Sequence, residues 1–279
     1  MSSLPRKKII INVEKPIDCF EWDFPIFGFL FMNLKVSIIT VSYNAVATLQ
    51  QTIESVLAQE YADIEYWVID GGSTDGTKEL LATYGDRIKY ISEPDKGIYD
   101  AFNKGLALVT GDVIGIIGAD DFYPTTDVIQ SVVEAFEREH VDSIYGDLQF
   151  IDPKSLKVVR KWKAGGYQRS SWLLGWMPPH PTFYVKRKVY EELGHFKTHY
   201  TCAGDYEFML RALYKHSISV AYLPKLLMTM RTGGTSTASW KHRWRANMED
   251  RQAWRENGLR PYFITVSLKP LRKILQLWS

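Results

Sequence analysis

From Val36 onward the apolar positions alternate between two periods. "VSIITVSY" is an apolar run of strand length, and Val46 to Gln59 repeats Leu49, Ile53, Val56 and Leu57 on one helical face. "IEYWVID" predicts a second strand and Thr77 to Tyr84 a helix, with Asp75 or Ser73 available to cap it. "RIKYIS" predicts a short third strand, Ile98 to Val109 a helix, "DVIGII" a fourth strand and Val128 to Glu139 a further helix. Strand and helix in alternation with short loops imply parallel strands under right-handed crossovers, a doubly wound α/β sheet. Ligands of such sheets bind beyond the carboxyl ends of the strands.

After about Tyr145 the rhythm changes. "SIYGDLQFID" and "KVVRKW" predict a hairpin around Pro153 and Lys154; a segment rich in Gly, Trp and Pro follows. "GDYEFMLRALYKH" has helical character and "SVAYLPKLLMTMR" returns to strand. We therefore expect one domain over residues 33–235, with a ligand-binding half at 33–145 and a half shaping a second pocket at 146–235. Residues 1–32 differ from the rest of the chain: acidic residues interrupt the apolar core that a secretory signal needs, so Met32 reads as the natural start and 1–31 as an upstream extension. Residues 236–279 read as a basic amphipathic helical tail: Trp240 to Ser279 holds nine Lys/Arg against three Asp/Glu. There, Trp240, Trp244 and Trp254, and then Leu271, Ile274, Leu275 and Trp278, interleave with cations, which suits an anionic membrane surface. The competing expectation is a helix packed back on the domain.

Composition narrows the classes. A hydrophobic fraction of 46% supports a sizeable core in a chain of 279 residues, and a net charge of +2 gives no sign of nucleic-acid binding. No run of about 18 to 20 apolar residues spans a bilayer. Cys19 and Cys202 are isolated, so a reducing cytosol is expected rather than a disulfide framework or zinc site.

The polar residues collect at the predicted carboxyl ends: Ser42-Tyr43-Asn44, then "DGGSTDG" from Asp70, then "EPDKG" from Glu93, then Asp120-Asp121. Two adjacent carboxylates at the end of a buried strand repel and lose hydration, unless a cation joins them. Oxygen-only ligation suits Mg²⁺ or Mn²⁺, held by one or two carboxylates and substrate phosphates; a turn in which Asp120 caps the next helix is the alternative. Glycines let "DGGSTDGT" approach a ligand closely, and Asp70 can accept hydrogen bonds from a base or ribose. Lys96 can neutralise phosphate or sit solvated in its loop. His180, between two prolines, can ligate Mn²⁺, meet a diphosphate or be structural. Trp172 and Trp176 can stack on a sugar, with core packing the alternative for at least one.

"VSIITVSYNAVATLQQTIESVLAQ", "WVIDGGSTDGT", "SEPDKGIYDAFNKGLALVTGDVIGIIGADD" and "GDYEFMLRAL" together resemble the family 2 glycosyltransferases of the GT-A fold, from about Val36 to about Gly234. Among members the chain is most similar to bacterial enzymes building exopolysaccharide, O-antigen or colanic-acid-type repeats. The resemblance implies that Ser42, Asn44 and Asp70 form the nucleotide pocket, that Asp100 lies on the nucleotide or sugar side, that Asp120 holds the ribose or sugar, and that Asp121 holds the metal. It implies Asp205 as catalytic base, although that residue follows Gly204 where the family often has Glu, which leaves Glu207 as a weaker substitute. It also implies inverting transfer from a nucleoside-diphosphate sugar, UDP above all, to a lipid-linked or oligosaccharide acceptor. The enzyme would lie on the inner face of the cytoplasmic membrane. Processive synthases carry Gln-x-x-Arg-Trp; "QRSSW" at 168–172 lacks that Arg, which implies transfer of a single sugar.

Other classes fit less well. A nucleotidyltransferase would want a Gly-rich, basic loop after strand one, and a dinucleotide-binding dehydrogenase would want Gly-x-Gly-x-x-Gly there; "VSYNAVATL" is neither. A non-catalytic nucleotide-sugar-binding scaffold would keep Asp70 but need neither Asp121 nor Asp205.

Overall fold

The computed structural model describes residues 34–233, 240–262 and 265, all within the unit Met32–Ser279. The expectations for residues 1–32 and for the "LKPLRKILQLW" segment lie outside the described residues.

The first half follows the predicted alternation. It runs β1 (Val36–Ser42), α1 (Val46–Leu57), β2 (Ile64–Asp70), α2 (Thr77–Ala82), β3 (Lys89–Ser92), α3 (Ile98–Leu108), β4 (Val113–Gly118) and α4 (Val128–Glu139). β1 pairs in parallel with β2 and β4, and β2 with β3. Every residue of β1 is buried, as expected of a central strand covered on both faces. One face packs Ile38 and Val68 against Leu49, Ile53 and Val56 of α1 and Val132 and Phe136 of α4. The other packs Ile39, Ile69 and Ile116 against Phe102 and Leu106 of α3.

The second half departs from a purely parallel sheet. β5 (Ser143–Ile151) and β6 (Val158–Trp162) form the expected hairpin, with Asp152 closing the turn through the Lys154 and Ser155 amides. β7 (Tyr184–Lys186) was not foreseen: three residues after a proline-rich loop show no period. It lies between β4 and β5, antiparallel to both, and so joins the two halves of the sheet. α5 (Arg187–Leu193) follows, then α6 (Gly204–Met209), which continues as a π-helical turn over Leu210–Lys215. β8 (Val220–Arg231) runs parallel to β5, and α7 spans Trp240–Glu256.

Part of the tryptophan signal belongs to this core. Trp172 and Trp254 are fully buried, and Trp254 donates from its indole to the Tyr206 hydroxyl at 2.8 Å. Trp172 therefore presents no face to a sugar, and Trp254 none to a membrane. Trp244 stays exposed.

Candidate active site

Ser42, Asp70 and Ser92 are the last residues of three neighbouring strands and stand in register across them. Asp70 is fully buried and ties the three ends together. Its oxygens accept from Ser42 Oγ at 3.0 Å, Ser92 Oγ at 2.7 Å, the Gly72 and Ser73 amides and Ser73 Oγ. Burial alone would raise its pKa; the bonds from Ser73, Ser92 and Ser42 outweigh that and hold it below the ordinary aspartate value. Five donors engage the roughly four lone-pair sites of a carboxylate, so the geometry makes Asp70 the clamp of this loop.

The loops beyond those ends interlock. Asn44, at φ 50°, accepts from the Thr74 amide, and its own amide donates to Ser73 Oγ. Asp75 accepts from the amides of both Val46 and Thr77, the first residues of α1 and α2, while Gly76 takes the left-handed position between Asp75 and α2. A Cβ on Gly71 would stand 2.4 Å from Asp95 Oδ2, so the Gly pair admits the Asp95 loop against it. Lys96 is exposed, and its amide donates to Asp100 Oδ2 at 3.0 Å. Tyr43, 68% exposed, stands over Gly71.

Asp120 and Asp121 follow β4. Both carboxylates lie over Gly118, where an added Cβ would sit 3.1 Å from an oxygen of each. Asp120 is half-buried; Asp121 is 3% exposed, and its Oδ1 has no hydrogen-bond partner. Burial and the neighbouring Asp120 charge push the Asp121 pKa well above the ordinary carboxylate value, with Arg231 acting against them. The main chain there is fixed by Thr52 Oγ1, which donates to the carbonyls of Ala119 and Asp121. Arg231, at the end of β8, donates to the Asp120 carbonyl and to Gln51. Sequence reasoning missed Arg231, because only the antiparallel bridge Phe122–Thr229 brings the end of β8 to this loop. An orphaned, buried carboxylate oxygen beside a second carboxylate fits a hard divalent cation. Among the described residues no three His, Cys, Asp or Glu converge on one point, so phosphate oxygens would have to complete the shell.

Asp205 lies on the first turn of α6, half-buried, and Oδ1 accepts from Tyr99 Oη at 3.2 Å. The Gly that precedes it has a physical reason: a Cβ on Gly204 would stand 2.8 Å from the Tyr99 ring. Glu207 is no substitute base. It is fully buried and held by Arg211, Lys197 and Asn257. The loop before Asp205 is held by Glu249 of α7, whose carboxylate accepts from the amides of Thr201, Cys202 and Ala203. His180 stacks on Phe102 with ring centroids 5.6 Å apart and meets Phe196 edge-on. Burial lowers its pKa, and the Asp205 charge opposes that shift. The structure thus brings Tyr99, His180 and Asp205 together on one side, and Asp120, Asp121 and Arg231 on another. At the amino ends of β1, β2 and β3 a depression of about 560 Å³ is lined by Lys35, Glu65, Arg87 and Lys89. Glu65 there is committed to its own ion pairs.

The sequence profile of Glycosyl transferase family 2 matches residues 37–210, a span that holds Ser42, Asn44, Asp70, Lys96, Tyr99, Asp100, Asp120, Asp121, His180 and Asp205 and leaves out Arg231 and Glu249. The chain belongs to glycosyltransferase family 2. This family 2 glycosyltransferase is 33% identical over 194 residues to an uncharacterized glycosyltransferase of Mycobacterium tuberculosis (strain H37Rv), covering 63% of this chain and 68% of that one. It is 28% identical over 197 residues to a PGL/p-HBAD biosynthesis glycosyltransferase of Mycobacterium bovis BCG, covering 67% and 73%. The fold matches S. aureus TarS 1-349 in complex with UDP-GlcNAc at a TM-score of 0.62 and 16% identity, over 77% of this chain and 65% of that one. It matches the mannosyltransferase PcManGT of Pyrobaculum calidifontis, in complex with GDP-Man and Mn²⁺, at 0.59 and 18%, over 80% and 64%. The chain spans 41% of a longer TarS chain. The fold of this glycosyltransferase is GT-A, a mixed α/β architecture on a mostly parallel sheet.

Proposed function

We propose that this glycosyltransferase moves one sugar from a nucleoside-diphosphate sugar, UDP-linked, to a hydroxyl of a lipid-linked or oligosaccharide acceptor in bacterial surface polysaccharide synthesis. We propose inversion at the anomeric carbon, with Mn²⁺ or Mg²⁺ bound. The observation that carries the reading is the buried, unpaired Oδ1 of Asp121 beside Asp120. Asp121 would hold the cation; Asp120 would hold ribose or sugar. A divalent cation there supplies positive charge against the leaving diphosphate. Arg231, from the end of β8, and Lys96, from the loop after β3, add charge of the same sign. A neutral His180 would offer a ring lone pair to the cation, or a ring N–H to the diphosphate. Ser42, Asn44, Asp70 and Asp100 shape the nucleotide pocket, Asp70 chiefly by fixing the loops, and the exposed Tyr43 ring offers a stacking face to the base.

Asp205 takes the proton of the acceptor hydroxyl as that oxygen attacks. One oxygen is held by Tyr99, which aims the other for proton transfer over about 3 Å. The membrane-facing location is supported by the basic, Trp-bearing C-terminal segment, with Trp244 and Met248 exposed one helical turn apart on α7; no described helix is long and apolar enough to cross a membrane.

The test is calorimetric binding of UDP with and without Mn²⁺ to wild type and Asp121→Ala. The expected result is binding that needs metal in wild type and is lost in the variant. Binding indifferent to both would return Asp120-Asp121 to a turn and favour the scaffold reading.

A further inference from the structure

The β5–β6 hairpin carries features that the donor site does not use. From Pro153 to Lys163 the chain has five cations, Lys154, Lys157, Arg160, Lys161 and Lys163, and no acid. The carboxylate of Asp152 is engaged inside the turn, where Oδ1 accepts from Lys154 N, Ser155 N and Ser155 Oγ. At the tip Leu156 holds φ 57°, a left-handed conformation that favours Gly or Asn, with 61% of its surface exposed. Phe150 pairs with Arg160 and Ile151 with Val158, so Val159 is the extra residue of a β-bulge. The bulge leaves two adjacent valines, Val158 and Val159, exposed at 46% and 51%. Lysines and a bulge alone would be ordinary protection of a sheet edge. Three exposed aliphatics among them, one in a backbone conformation that disfavours it, defeat that purpose.

We propose that this hairpin tip docks on an anionic lipid bilayer. Leu156, Val158 and Val159 enter the boundary between headgroups and acyl chains, and the four flanking lysines face the lipid phosphates, while Arg160 lies over the Phe150 ring. The charge selects this occupant over a second copy of the chain: edge-to-edge pairing of two hairpins would set lysines against lysines. The assignment deepens the membrane reading above, on which it rests in part, by giving the contact to β5–β6 rather than to the C-terminal segment. The hairpin belongs to the half over 146–235, so docking it would bring that half to the bilayer surface.

The test is co-sedimentation of the full chain with vesicles of phosphatidylcholine alone or mixed with phosphatidylglycerol. Wild type should bind only the anionic vesicles, and less as salt rises. Leu156→Glu/Val159→Glu should weaken binding about tenfold or more, and Lys157→Gln about fivefold. Leu156→Gly should raise Tm, because Gly accepts the left-handed tip, and still weaken vesicle binding; a purely structural role would not move both. A tail variant, Lys269→Gln/Arg272→Gln/Lys273→Gln, should bind much as wild type does. Hairpin variants that bind normally while the tail variant fails would overturn the hairpin and leave the membrane reading standing. Wild type that ignores anionic vesicles would overturn both. A dimer by light scattering that Leu156→Glu/Val159→Glu dissolves would make the tip a contact between copies instead.

Discussion

Asp121 shows how one residue can weigh against the fold that holds it. Its folded pKa is raised, so the folded chain binds a proton that the unfolded chain has already released. Metal-free stability therefore falls as pH rises from the ordinary value of 3.8 through the raised one. Asp121→Asn removes the buried charge and should raise the Tm of chelator-treated protein at neutral pH. The same variant should lose the rise in Tm that Mn²⁺ gives wild type, a contrast that thermal scans with and without metal will read. Glu65 has the opposite sign. Ser37, Thr110 and Lys89 overcome its burial and hold its pKa at about 2 against 4.5. That stability is complete above pH 4.5 and is lost as pH falls toward 2, a contribution of up to about 3 kcal/mol. Glu65→Gln should flatten this acid limb in denaturant titrations across that range and leave UDP binding unchanged, since Glu65 lies at the amino ends of the strands.

At the scale of elements, the contact between α3 and α6 matters most for chemistry. Tyr99 on α3 lies on Gly204 and holds Asp205 on α6. Gly204→Ala should push the ring away, cost about 1–3 kcal/mol and lower turnover up to about a hundredfold, with donor affinity retained. Steady-state kinetics beside a denaturant melt will separate the two effects. The same elements show what the sequence could and could not tell. β1, β2, β4 and their helices were legible, because buried parallel strands are apolar throughout and the helices keep one apolar face. The loops after β1, β2 and β4 were legible as a candidate site because polar residues recur at strand ends. β7 was not legible at three residues, and Arg231 reaches Asp120 only through sheet pairing across more than a hundred positions. Asp70 was legible as a strand-end acid, whereas its saturation by five internal donors was not: Ser92 and Ser42 meet it only across neighbouring strands.

For the whole molecule, two faces of one sheet carry separate apolar clusters, and α7 closes one of them. Ala253 and Trp254 lie in the cluster that holds α3 and α6, while Trp244 faces solvent. Trp254→Ala should cost about 3–5 kcal/mol, and Trp244→Ala should leave stability within about 0.5 kcal/mol of wild type. Chemical denaturation of both variants will show whether α7 is part of the domain or an appendage to it.

That closure has a consequence for how the enzyme is made. The three amides just before Asp205 are satisfied by Glu249, which lies well beyond them in the chain. A ribosome releases the strand-end loops and both acids of Asp120-Asp121 long before it releases α7. The nascent chain can therefore assemble the proposed donor pocket while the loop before Asp205, its proposed base, still lacks its support. Because α7 follows both, the proposed roles would put transfer competence after donor binding in the order of synthesis, so that a half-made chain grips a sugar nucleotide before it can pass the sugar on.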